Sequence, residues 1–69
     1  MMDFTSTQKA FINDSIRKAI QEQREEIKWW VDQAEKENNL QTKKSFRAMA
    51  ESHVEMAEEL EEMLRRINE

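Results

Sequence analysis

Glycine, proline and cysteine are all missing from this chain of 69 residues. Glycine and proline supply the positive φ angles and fixed turns that hairpin loops and helix breaks need. Without them a many-stranded or loop-rich fold is hard to build, while long uninterrupted helices are easy. Without cysteine there is no disulfide, no thiolate nucleophile and no zinc–thiolate site. No apolar run approaches the roughly 20 residues that cross a bilayer. The first residues, Met1-Met2-Asp3-Phe4-Thr5, show no basic stretch leading into an apolar one. The expected location is therefore the cytoplasm, with no membrane role.

Basic charge is also in short supply. Eleven Lys and Arg face fifteen Asp and Glu, for a net charge of -4 and a pI of about 5.0. A general nucleic-acid binder needs the opposite balance, because neutralising phosphates dominates its affinity. What the chain does have is 38% charged and 38% hydrophobic residues, with a mean hydropathy of -1.00. That mixture suits solvated helices carrying narrow apolar stripes.

The periodicity agrees. Thr5 and Gln8 have the spacing of a capping box. Beyond them Ile12, Ile16, Ile20, Ile27, Trp30 and Ala34 recur on one helical face, with Ala19 and Val31 flanking and Gln23 as its polar member. A first helix is predicted from about Ser6 to Glu37, close to 48 Å long at 1.5 Å per residue. Asn38 and Asn39 can cap it or take left-handed backbone angles. Thr42 is the expected N-cap of a second helix, running from about 42 to 67. There Phe46, His53, Leu60 and Ile67 fall seven apart, as do Met49, Met56 and Met63. Ala50, Ala57 and Leu64 widen the stripe to heptad positions a, d and e.

A turn of about residues 38–41 makes the two helices antiparallel neighbours in one domain spanning 1–69, with Leu40 expected to plug the turn end. This register sets Ile27 near His53, Trp30 near Met49 and Ile16 near Met63. It also brings Gln23 to His53, so the polar members of the two stripes meet. Chains this short usually need a disulfide, a metal or a partner to complete a core. With the first impossible and no metal set evident, self-association is expected. The fold class is thus all-α: an antiparallel two-helix hairpin forming a four-helix bundle as a homodimer, or a tetramer or higher oligomer. A monomer held by a different protein is the other solution.

Catalytic constellations are absent. A helical di-iron site needs Glu-x-x-His pairs, but residue 50 is Ala; Glu51 lies on another face, and Glu22 and Glu26 lie off the seam. His53 reads as a core histidine bonded to Gln23, ahead of a metal ligand shared across a two-fold. Ser6, Ser15 and Ser45 have no histidine placed as a base. Ser52 beside His53 points about 100° away from it. No enzyme activity, cofactor or metal is expected.

Three surface features remain. Glu51, Glu55, Glu58, Glu59, Glu61 and Glu62 read first as a solvated face and second as an anionic mimic of nucleic acid. Lys43, Lys44 and Arg47 open helix two, where free N–H groups attract anions, and Lys36 lies close by. Together they would hold a phosphate-bearing, nucleotide-type signalling molecule, with Trp29 stacking on its base. Phe4, Phe11 and Trp29 fall outside the main stripe and are the candidate partner-binding anchors. The leading expectation is a non-enzymatic homo-oligomeric protein that binds and modulates another protein. Its rivals are the small-ligand binder and the nucleic-acid mimic. In size, charge and lack of catalytic parts the chain resembles accessory or inhibitor proteins of phages and other mobile elements. The resemblance implies binding rather than chemistry.

Overall fold

A computed structural model describes residues 4–69 and holds two packed helices, with no strand among the described residues. Helix α1 is Ser6–Lys36, 31 residues, and helix α2 is Leu40–Ile67, 28 residues. The hairpin measures 51 × 18 × 11 Å.

Local sequence explains each helix end. Thr5 is extended, and its hydroxyl accepts the Gln8 N–H at 3.2 Å. Gln8 Oε1 accepts the Thr5 N–H in return at 2.9 Å. Two otherwise orphaned donors are satisfied by this reciprocal box. At the far end Asn68 closes α2, donating its backbone N–H to Arg65 O at 3.2 Å and its Nδ2–H to Leu64 O at 2.7 Å.

The turn differs from the sequence expectation in three ways. Helix α2 starts at Leu40, and its N-cap is Asn39 rather than Thr42. Asn39 Oδ1 accepts the Thr42 N–H at 3.0 Å and the Thr42 hydroxyl at 3.2 Å. Asparagine outranks threonine as a cap, so the earlier residue takes the role and Thr42 becomes its client. No described residue has positive φ; Glu37 and Asn39 are both extended instead. Leu40 is 64% exposed and plugs nothing. Starting the helix at 40 rotates that first position about 120° away from the seam.

The seam is narrow. Ile16, Ile20, Ala34, Ala50 and Ala57 are the buried residues, and no large side chain is fully enclosed. Three of those five are alanines, which let the backbones approach closely but bury little area each. Nearer the turn Trp30 packs on Phe46, ring centroids 5.6 Å apart, and edge-on to Trp29 at 4.8 Å. The Trp30 indole N–H is buried with no acceptor in reach. That omission costs about 1–3 kcal/mol. Two aromatic contacts worth roughly 0.5–1.5 kcal/mol each offset it.

The cap assignment is testable by thermal melting. Asn39→Ala should cost about 1 kcal/mol, lowering Tm by roughly 4–8 °C. Leu40→Ala, at an exposed site, should stay within about 0.5 kcal/mol of wild type.

Candidate functional site

The two edges of the seam are unlike. In α2 the residues Phe46, His53, Leu60 and Leu64 lie along the middle and are half-buried. Three positions after the first three of these come Met49, Met56 and Met63; four positions after Phe46 and His53 come Ala50 and Ala57. At about 100° per residue the methionines lean to one edge and the alanines to the other. Right-handed winding in an antiparallel pair sets Ile12, Ala19 and Trp30 of α1 beside the methionines. The opposite edge receives Asn13, Arg24 and Val31.

That second edge carries polar links, although Val31 on it is 42% exposed. Asn13 and Asn68 exchange two side-chain hydrogen bonds, Nδ2–H to Oδ1, both 3.0 Å. Arg24 donates to Glu61 at 3.2 Å. The methionine edge has no such closure among the described residues. Met49, Met56 and Met63 are 42%, 45% and 50% exposed. Trp30 stacks on Phe46, the residue three positions before Met49 on the same side of α2. What the spacing missed is that position d faces outward on one side of a two-helix unit. The strict seven-residue repeat of flexible methionines was the available signal.

Midway along the hairpin Gln23 and His53 meet, His53 Nδ1 lying 2.6 Å from Gln23 Oε1. A carboxamide oxygen only accepts, so Nδ1 carries the proton and Nε2 is left as an acceptor. The contact is part-buried and joins positions 30 residues apart. Sliding either helix by one turn would strand both groups, which makes the pair a register pin.

The aromatic anchors separate. Phe4 precedes the Thr5 cap and is half-buried. Phe11 and Trp29 are 74% and 53% exposed. Eighteen residues is five helical turns, so they share one azimuth of α1 about 27 Å apart, on the side turned from α2. Trp29 also walls a shallow concavity with Val31, Lys28, Glu25, Asp32 and Glu35.

Of the basic residues, Lys36 is drawn to α1, while Lys43, Lys44 and Arg47 stay within the first turns of α2. Lys36 is engaged by Asp32 at 2.8 Å. That hydrogen bond, then the Asp32 charge, raises the lysine above its ordinary pKa. Lys43 is half-buried beside the seam, whereas Lys44 and Arg47 are exposed on the outside of α2. The α2 N-terminus already has acceptors: Asn39 Oδ1 holds the Thr42 N–H, and the Glu37 carboxylate holds the Asn39 N–H at 3.0 Å.

The acidic run is partly neutralised from within. Glu61 reaches Arg24, and Glu62 holds Arg65 and, at 3.2 Å, Arg66. Glu51, Glu55, Glu58 and Glu59 are exposed. Among the described residues no cluster of three or more His, Asp or Glu side chains is placed to hold a metal ion, and no helix is long and apolar enough to cross a membrane.

The chain matches no protein-family model, no curated protein and no solved structure.

Two outcomes follow. In NMR, long-range 15N–1H correlations should show neutral His53 protonated at Nδ1, and Gln23→Ala should remove that selection and cost about 1 kcal/mol. The hydrogen bond from Arg65 holds the Glu62 carboxyl below its ordinary value. Its contribution is thus present above the ordinary carboxylate pKa and lost as pH falls through the lowered one. Melts of Glu62→Gln and wild type should differ at neutral pH and converge in acid.

Proposed function

We propose that the chain is a non-enzymatic interaction protein whose hairpin becomes half of a four-helix bundle by pairing its methionine edge with that of a second copy. The observation that carries this reading is the exposed row Met49, Met56 and Met63, set beside Ile12, Ala19 and Trp30. A continuous apolar row left open on one edge, while polar links lie along the other, is the pattern of an incomplete core.

The areas agree. The hairpin exposes 5646 Å², whereas an ordinary folded monomer of 8.3 kDa exposes roughly 4,600 Å². The excess is about 1,000 Å², and one partner in a standard interface contributes about 800 Å². Pairing two like faces is isologous, so one surface serves both copies and the assembly closes. Methionine suits such a face because its three rotatable bonds let it adapt to its own mirror contact. The bundle then carries two copies of the outward aromatics Phe11 and Trp29, the anchors for another protein.

The phosphate-ligand alternative draws less support. Lys36 is tied to Asp32, and a carboxylate and a carboxamide already sit at the α2 N-terminus.

Sedimentation equilibrium over a dilution series tests the bundle. Wild type should weigh about twice 8.3 kDa at micromolar concentration. Met56→Glu changes both halves of an isologous contact at once. It should weaken assembly by more than tenfold, as a charge is buried unpaired on each side. A wild-type monomer at every concentration, or a Met56→Glu variant that associates normally, would refute the reading.

A further inference from the structure

We infer that the outer face of α1 docks a basic amphipathic helix from a different protein, gripped at its two ends by Phe11 and Trp29 and along its middle by glutamates. This rests on the interaction-protein reading and names the partner's chemistry.

The anchors come first. Phe11 and Trp29 are 74% and 53% exposed, yet they lie about 140° from the seam, where neither α2 nor a second copy on the methionine edge covers them. Their shared azimuth and separation of about 27 Å match two apolar positions five turns apart on a parallel or antiparallel helix.

Charge then selects the partner. Between the anchors on this side stand Glu22, Glu25 and Glu26, all exposed and none in an ion pair among the described residues. The neighbouring lysines do not offset them: Lys18 is held by Asp14 at 3.1 Å and Lys36 by Asp32 at 2.8 Å. Among the described residues Lys28 and Arg17 have no carboxylate partner, and both lie about 100–120° round the helix from the anchors, on the flank of this face. A helix with Lys or Arg between two apolar ends would meet those three carboxylates. Its cation nearest Trp29 would also lie over the indole face, a contact that favours Arg and Lys. An acidic or nucleic-acid partner would be repelled.

The test uses the full chain and a helical peptide of leucine and lysine, about 20 residues long to cover 30 Å. A leucine–glutamate peptide of the same pattern is the control. Binding is read by calorimetry and by tryptophan emission in a Trp30→Phe background, which leaves Trp29 as sole reporter. The lysine peptide should bind and shift the Trp29 emission; the glutamate peptide should do neither. Trp29→Ala and Phe11→Ala should each weaken binding by roughly threefold to tenfold. The triple change Glu22→Gln, Glu25→Gln, Glu26→Gln should flatten its salt dependence. Helicity and sedimenting mass should be unchanged in all these variants. Equal affinity in wild type and Trp29→Ala, or equal binding of both peptides, would overturn the inference. So would a fall in mass on Trp29→Ala, which would mean that a second copy covers the face. Met56→Glu separates the two readings, since it should abolish self-association and leave peptide affinity intact. A monomeric wild type that still binds the peptide through Trp29 would sink the bundle and keep the docking face.

Discussion

Two helices can bury only one strip of each other, and that geometric limit governs everything else in this molecule. A third element would cover the flanks of the seam, but the described residues hold none. Each flank must then be made tolerable to water or offered to another surface. Here the two solutions are divided between the edges. Asn13, Asn68, Arg24 and Glu61 close one with hydrogen bonds, and three methionines line the other. A surface pair such as Arg24–Glu61 contributes little stability by itself. Its structural consequence is larger, because it occupies the edge with groups that a second apolar face would not displace cheaply.

Register matters more in such a hairpin than in a larger fold. With few large buried side chains, hydrophobic area changes little when one helix slides a turn past the other. Gln23 and His53 supply the discrimination that packing does not. Their bond at 2.6 Å sits at mid-length, and any slip leaves two polar groups half-buried and unpaired. The alanines act alongside them: Ala34, Ala50 and Ala57 are buried to 7% exposure or less, and a bulkier side chain arriving there would be excluded. Specificity here thus comes from one polar pair and a few small residues, not from area.

Much of this was legible in the residues. The heptads of α2, the capping box at Thr5 and the meeting of Gln23 with His53 are properties of spacing, and spacing survives into structure. The turn was not legible at the same precision. Asn39 and Thr42 are both good caps three residues apart, and the chain uses the earlier one. That decision moved the start of α2 by two residues and turned Leu40 outward. The methionine edge was legible only in part. A heptad pattern says which residues share a stripe, but a stripe wider than the partner helix must overhang it. Which edge overhangs depends on the handed winding of both helices together. Within the basic group Lys36 has an aspartate four residues earlier that engages it, a local pairing the spacing already allowed.

The same limit that leaves the methionine edge open also leaves the outside of α1 free to specialise. Beyond the seam, Phe11 has no stabilising contact in the hairpin that the structure reveals, and Trp29 has only its edge-on contact with Trp30. An exposed aromatic is costly to keep in water, and two on one azimuth compound the cost. Their neighbours are not arranged to screen them either, since Glu22, Glu25 and Glu26 lack ion-pair partners among the described residues. A face with apolar ends and carboxylates between them is the pattern that a basic amphipathic helix would complement. Self-association through the methionines would finish the core without touching that face. The two surfaces can therefore act independently, one to build the assembly and one to use it.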